Sequence, residues 1–237
     1  MSVPAVGGLS PAKWRVKVEE EETSAIFEPA LASSNGALFV CAHGAGGNMA
    51  DRGVLGVTGA LRGRGFHIVR FNFPYREKGS SHPDTMPRLK ECIAAVASHA
   101  RREIAPQTLV LGGRSMGGRV ASMLAAGEFP CDGLLLLAYP LHPLGRPEEL
   151  RDAHLAQIKV PVLCLNGTRD ALCRRDLMDP VVGRLTDRWT MHWLEGADHS
   201  FRVLKTSGRS DGDVLDEIAQ ACGAWASGLK RRTAGSL

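Results

Sequence analysis

From Ala37 onward, short unbroken apolar runs alternate with longer segments of helical character. Residues 37–42, 67–73, 108–111, 133–138 and 160–165 have the length and composition of strands buried on both faces. Residues 190–194 read as a further strand with partial alternation. Upstream, Trp14, Val16 and Val18 alternate with polar residues, the pattern of a half-buried strand. Between the apolar runs, residues 54–64, 87–103, 116–126, 174–187 and 211–227 read as helices. The clearest is 87–103, with Leu89, Ile93, Val96 and Ala97 on one face. Strand and helix in strict alternation imply a mostly parallel sheet with helices on both faces. Right-handed crossovers then make it an open, doubly wound α/β sheet.

The chain divides into a flexible N-terminus at 1–12, a single α/β domain at 13–228 and a short basic tail at 229–237. The tail holds Lys230, Arg231 and Arg232 and reads as a solvated terminus. A formal charge of +4 gives no electrostatic footprint for nucleic acid. No apolar run is long enough to span a bilayer, and the first residues lack a signal-peptide pattern. Cys41, Cys92, Cys131, Cys164, Cys173 and Cys222 form no CxxC pair, so no zinc site is expected. They read as free thiols in a reducing compartment, the cytoplasm.

Gly113-Arg114-Ser115-Met116-Gly117 follows one apolar strand and runs into the helix at 116–126. In that context G-x-S-x-G is a nucleophile elbow. The serine occupies a strained turn, and side chains two residues before and after it would collide. The turn sets the Ser115 hydroxyl at a helix N-terminus, where N–H groups and the dipole favour developing negative charge.

His43-Gly44-Ala45-Gly46-Gly47 follows an earlier strand. A tetrahedral oxyanion needs two preorganised donors. The expected pair is the N–H of Met116 and that of Ala45. The loop lacks the lysine and hydroxyl of a P-loop and the spacing of a dinucleotide fingerprint, which removes the support for a nucleotide-binding reading. His43 is expected to hold the loop by a side-chain hydrogen bond and to border the substrate.

Asp170 and His199 lie just past the strands at 160–165 and 190–194, where ligands bind in an open α/β sheet. A serine hydroxyl needs an adjacent base, and that base needs an orienting acid. The order Ser115, Asp170, His199 is the one this fold uses. Asp176 and Asp179 are rivals for the acid, and Asp198 reads as solvated. The interval 140–159 is too short for a cap domain. It reads as a proline-punctuated loop followed by one helix at 147–156, which leaves the site open. Tyr75, Arg76 and His142 lie after strand ends and are expected to face the substrate, with Arg76 and His142 able to read an anion. Arg76 paired with a carboxylate on the surface is the equal alternative.

Over residues 14–228 the chain resembles the α/β-hydrolase superfamily, in size close to dienelactone hydrolases and small acyl esterases. The segments 112–117, 139–143 and 196–200 are similar to the testis-expressed-thirty and NSL-complex-subunit branch. The resemblance implies a hydrolase with the Ser115, Asp170, His199 assignment. Dienelactone hydrolases carry a cysteine nucleophile, so that activity does not carry over. The sequence therefore predicts a serine hydrolase of esters or thioesters, with a small acyl substrate, no cofactor and no nucleic-acid or membrane partner. Peptide or amide cleavage uses the same triad. The alternative is a non-catalytic binding module or complex subunit on the same fold.

Overall fold

A computed structural model describes residues 9–185 and 187–233. The strands are β1 (Ala12–Val18), β2 (Glu21–Glu28), β3 (Ala37–Ala42), β4 (His67–Phe71), β5 (Thr108–Arg114), β6 (Gly133–Leu137), β7 (Val162–Gly167) and β8 (Trp189–Leu194). The helices are α1 (Arg52–Arg62), α2 (Pro74–Glu77), α3 (Met86–Ile104), α4 (Met116–Ala126), α5 (Arg175–Val182) and α6 (Asp211–Thr233). All strands form one sheet in the order β1-β2-β4-β3-β5-β6-β7-β8. β1 and β2 are antiparallel to their neighbours, and every pairing from β4 to β8 is parallel. This is the mostly parallel α/β sheet that the sequence predicts.

Burial follows the two-residue period of a strand. In β3, Leu38, Val40 and Ala42 enter one core with α3, α4 and α5, through residues such as Ile93, Val120 and Met178. Ala37, Phe39 and Cys41 enter the other with α1 and α6, through Val57, Leu61, Ile218 and Cys222. Helices on both faces explain why these strands read as continuous apolar runs. β5 lies centrally, between β3 and β6. Its C-terminal end therefore emerges among the loops that follow its neighbours.

Three differences from the sequence reading have physical reasons. β2 escapes a periodicity search because only Thr23, Ala25 and Phe27 alternate inward, behind a glutamate-rich start. It is nevertheless a paired interior strand, held by β1 and β4. The helix predicted at 147–156 is absent. The segment makes successive short turns, with Arg146 N–H on Pro143 O and Glu149 N–H on Arg146 O, and one 3-10 turn at Leu155–Gln157. Leu155 is buried while Leu150 is exposed, so no apolar stripe exists for a helix to bury. α6 continues past residue 227 to Thr233, so the expected tail from 229 begins in helix. Residues 234–237 of that tail, and 1–8 of the expected flexible N-terminus, lie outside the described residues.

Candidate active site

β5 ends at Arg114 and α4 begins at Met116, so Ser115 is the whole connection. It sits at φ 51°, ψ −118°, a conformation that a non-glycine residue adopts at a cost of about 1–3 kcal/mol. The neighbouring glycines make it possible. A Cβ on Gly113 would lie 2.1 Å from the Ala42 carbonyl oxygen, and one on Gly117 would lie 2.6 Å from the same atom. Only hydrogen fits where the elbow presses against β3.

The Ser115 hydroxyl lies 2.9 Å from His199 Nε2. His199 Nδ1 lies 2.9 and 2.8 Å from the two Asp170 carboxylate oxygens. Asp170 is fully buried, whereas the His199 side chain is 24% exposed. A buried carboxylate requires donors beyond the histidine. The Leu172 N–H donates to Oδ1 at 2.8 Å and Asn166 Nδ2 donates to Oδ2 at 3.1 Å. Asn166 is in turn locked across β6 and β7: its amide donates to the Tyr139 carbonyl at 3.0 Å and accepts from the Tyr139 N–H at 3.1 Å. The Tyr139 hydroxyl donates to the Arg151 carbonyl at 2.6 Å, and burial pushes its pKa up. Asp176 and Asp179, the rival acids, pair instead with Arg174 and Arg175.

On the other flank, the turn from Gly44 to Gly47 is closed by the Gly47 N–H on the Gly44 carbonyl, 3.1 Å. That leaves the Ala45 N–H outside the turn's own bond. The turn lies against the nucleophile: a Cβ on Gly44 would sit 3.6 Å from Ser115 Cβ. Met116 is the first residue of α4, so its N–H is among the donors that a helix start leaves free.

The residues expected to face the substrate are placed differently. His43 is fully buried. Its Nε2 accepts the Phe73 N–H at 3.2 Å, which leaves Nδ1 to donate to the Gly44 carbonyl at 2.8 Å. Burial lowers its pKa. It holds the loop, as expected, but has no nitrogen left for a ligand. His142 repeats the arrangement: Nε2 accepts the Arg174 N–H at 3.3 Å and Nδ1 lies 3.0 Å from the Pro143 carbonyl. It is 2% exposed and reads no anion. Tyr75 is equally buried, its ring stacked on Phe73 with centroids 6.2 Å apart. Arg76 donates to the Ser80 carbonyl at 2.7 Å, so it neither pairs with a carboxylate nor bonds to the serine, histidine or aspartate above. His43 and His142 follow strand ends but turn back into the loops they support, whereas the buried Tyr75 hydroxyl and Arg76 Nε have no hydrogen-bond partner among the described residues.

Two residues with clear roles, Asn166 and Arg114, have none assigned from the sequence, and a third, Asp198, differs from its expected solvated state. Asn166 is the polar end of an otherwise apolar strand, a signal the sequence does carry. Asp198 is no solvated bystander: its Oδ1 accepts the Ser200 and Arg202 N–H groups at 2.7 and 2.9 Å and shapes the loop bearing His199. Arg114 reaches that same loop, with Nη2 donating to the His199 carbonyl at 3.1 Å and to Ser200 Oγ at 3.0 Å.

A sheet of this order, carrying a serine elbow hydrogen-bonded to a histidine from the last strand's loop, defines an α/β hydrolase. A family model described as an alpha/beta hydrolase domain matches residues 35–227, and the chain belongs to that family. Among solved structures it is similar to an α/β serine hydrolase homologue from Coxiella burnetii, with 19% identity, 90% of this chain and 96% of that one covered, and a TM-score of 0.72. It is also similar to an α/β serine hydrolase without lid from Xanthomonas campestris, with 22% identity, 91% and 94% covered, and a TM-score of 0.70. A dienelactone hydrolase from Anabaena variabilis shares 16% identity over 91% of this chain and 96% of its own, with a TM-score of 0.67. At these identities the likeness is one of fold.

Proposed function

We propose that the protein is a serine hydrolase that cleaves a small ester or thioester through an acyl-enzyme. The observation that carries this reading is the continuous hydrogen-bonded line from Ser115 through His199 to the buried Asp170. Ser115 Oγ attacks the acyl carbon as its proton passes to His199 Nε2. Asp170 holds the imidazole and stabilises the imidazolium that forms. The carbonyl oxygen becomes an oxyanion between the Met116 and Ala45 N–H groups. Collapse breaks the bond to the leaving group, which takes the proton from His199. Water, deprotonated by the same nitrogen, then releases the acid and restores the serine.

The short 140–159 segment, with its turns and single 3-10 turn, supports an open site that admits small acyl substrates. Similarity at 112–117, 139–143 and 196–200 supports placing the chain in the testis-expressed-thirty and NSL-complex-subunit branch. All six cysteines are free, which supports a reducing, cytoplasmic setting. Among the described residues no helix is long and apolar enough to cross a membrane.

Hydrolysis of a panel of short-chain p-nitrophenyl esters and acyl thioesters tests the reading. Wild-type protein turns over at least one member, and Ser115→Ala abolishes that turnover. Hydrolysis of every accepted ester that survives Ser115→Ala would remove Ser115 as the nucleophile.

A further inference from the structure

We propose that Arg114 is a positioning residue that sets the hydrogen bond between His199 and Ser115. The inference rests on the serine-hydrolase reading and adds to it the device that aligns the base with the nucleophile. Arg114 immediately precedes Ser115 and ends β5. Its Nη2 donates both to the main-chain carbonyl of His199 and to the hydroxyl of the next residue, Ser200. The peptide that carries the base is thereby fastened to the residue beside the nucleophile. Together with the Ser115–His199 bond, this closes a ring of contacts between the end of β5 and the loop after β8.

The loop's other ties run elsewhere. Asp198 accepts N–H groups from within the loop itself. Arg169 fastens it to the end of β7, through its N–H on the Ala197 carbonyl at 2.9 Å and its Nη1 on the Gly196 carbonyl at 3.1 Å. These fasten the loop to the end of β7, beside Asp170, and reach Ser115 only through the intervening strand β6. Among the described residues, the side-chain hydrogen bonds from the elbow to this loop are those of Arg114 and of Ser115 itself.

The guanidinium is well placed for the task. It is half-buried, and burial lowers its pKa. It lies over two glycine backbones: a Cβ on Gly53 would be 3.5 Å from Nε, and one on Gly44 would be 3.8 Å from Nη1. Its outer side borders a cavity of about 190 Å³ between the start of α1 and the loop of His199. Both bonds leave the single Nη2 amino group, whose two hydrogens lie in the fixed guanidinium plane, whereas a lysine ammonium turns freely on a flexible stem. Misplacing a catalytic group by about 1 Å costs on the order of a hundredfold in rate.

The test compares wild-type protein with Arg114→Gln and Arg114→Lys. It measures kcat and KM on p-nitrophenyl acetate, a neutral ester that offers Arg114 no anion, and the rate at which a fluorophosphonate probe labels Ser115. Far-UV circular dichroism and the urea midpoint establish that each variant is folded. The expected result is a fall of about 10–100-fold in kcat and in labelling rate for Arg114→Gln, with KM unchanged and partial recovery in Arg114→Lys. If Arg114→Gln does not fold, Arg114→Lys alone is expected to show a smaller deficit in kcat at unchanged KM. Wild-type rates in a folded variant, or a loss confined to KM, would overturn the positioning role while leaving the hydrolase intact. A wild-type protein that neither labels nor hydrolyses the ester would overturn the hydrolase reading and this one with it.

Discussion

His43 and His142 occupy matching places on the two sides of the elbow strand, and each joins two adjacent loops. His43 ties the loop after β3 to the one after β4, and His142 ties the loop after β6 to the one after β7. In both, Nε2 accepts a backbone N–H, and Nδ1 serves the carbonyl of the next residue in the chain. Histidine position after a strand is visible in a sequence, but the direction of its ring is not. That is why both were expected at the substrate. The distinction is measurable. His142→Ala leaves the Arg174 N–H without its acceptor and the Pro143 carbonyl without its partner. It should cost about 1–3 kcal/mol in urea unfolding, with KM for a neutral ester unchanged. A higher KM at undiminished stability would return His142 to the substrate.

At the scale of elements, the elbow is the place where backbone geometry is least negotiable. Gly113 has φ +142°, and its missing Cβ would meet the Ala42 backbone oxygen at 2.1 Å. No side-chain movement relieves a collision between two strands. Gly113→Ala is therefore expected to destabilise the fold by about 4 kcal/mol or more. Gly79→Ala is the control: φ is +74° but nothing lies within 4 Å, so the cost should be only about 1–2 kcal/mol of backbone strain. Equal urea midpoints for the two variants would contradict this account. The same elements show what a sequence makes legible. β3 and α4 are readable to the residue because one is apolar on both faces and the other starts at a glycine-flanked serine. β2 is hidden because a strand beside the sheet's antiparallel edge buries only alternate residues. The absent helix at 147–156 shows the converse, a helix-compatible stretch without an apolar face to pack. Ser115, Asp170 and His199 were legible because each follows a strand end in a recognisable turn. Asn166 stands out as a polar residue at the end of an apolar strand, but its role and that of Arg114 depend on which strands become neighbours.

For the whole molecule, buried and half-buried histidines tie stability to pH. Burial lowers the pKa of His43, His67 and His154, the last from 6.5 to about 4 beneath the additional influence of Arg119. Each binds its proton more weakly folded than unfolded. Their contribution is therefore complete above pH 6.5 and is lost as the pH falls, for His154 through about 4. The urea midpoint should drop steadily from pH 7 to pH 4.5, and less steeply in His154→Gln. An identical slope in that variant would show that His154 does not titrate in this window. The central claim concerns Ser115, and the most direct measurement is mass-spectrometric location of a fluorophosphonate adduct on purified protein, with His199→Ala and Ser115→Ala alongside. The account predicts a single adduct on Ser115, absent in Ser115→Ala and slowed at least a thousandfold in His199→Ala, on the order of what losing a triad member costs. Folded wild-type protein that takes up no probe, or takes it up at another serine, would contradict it.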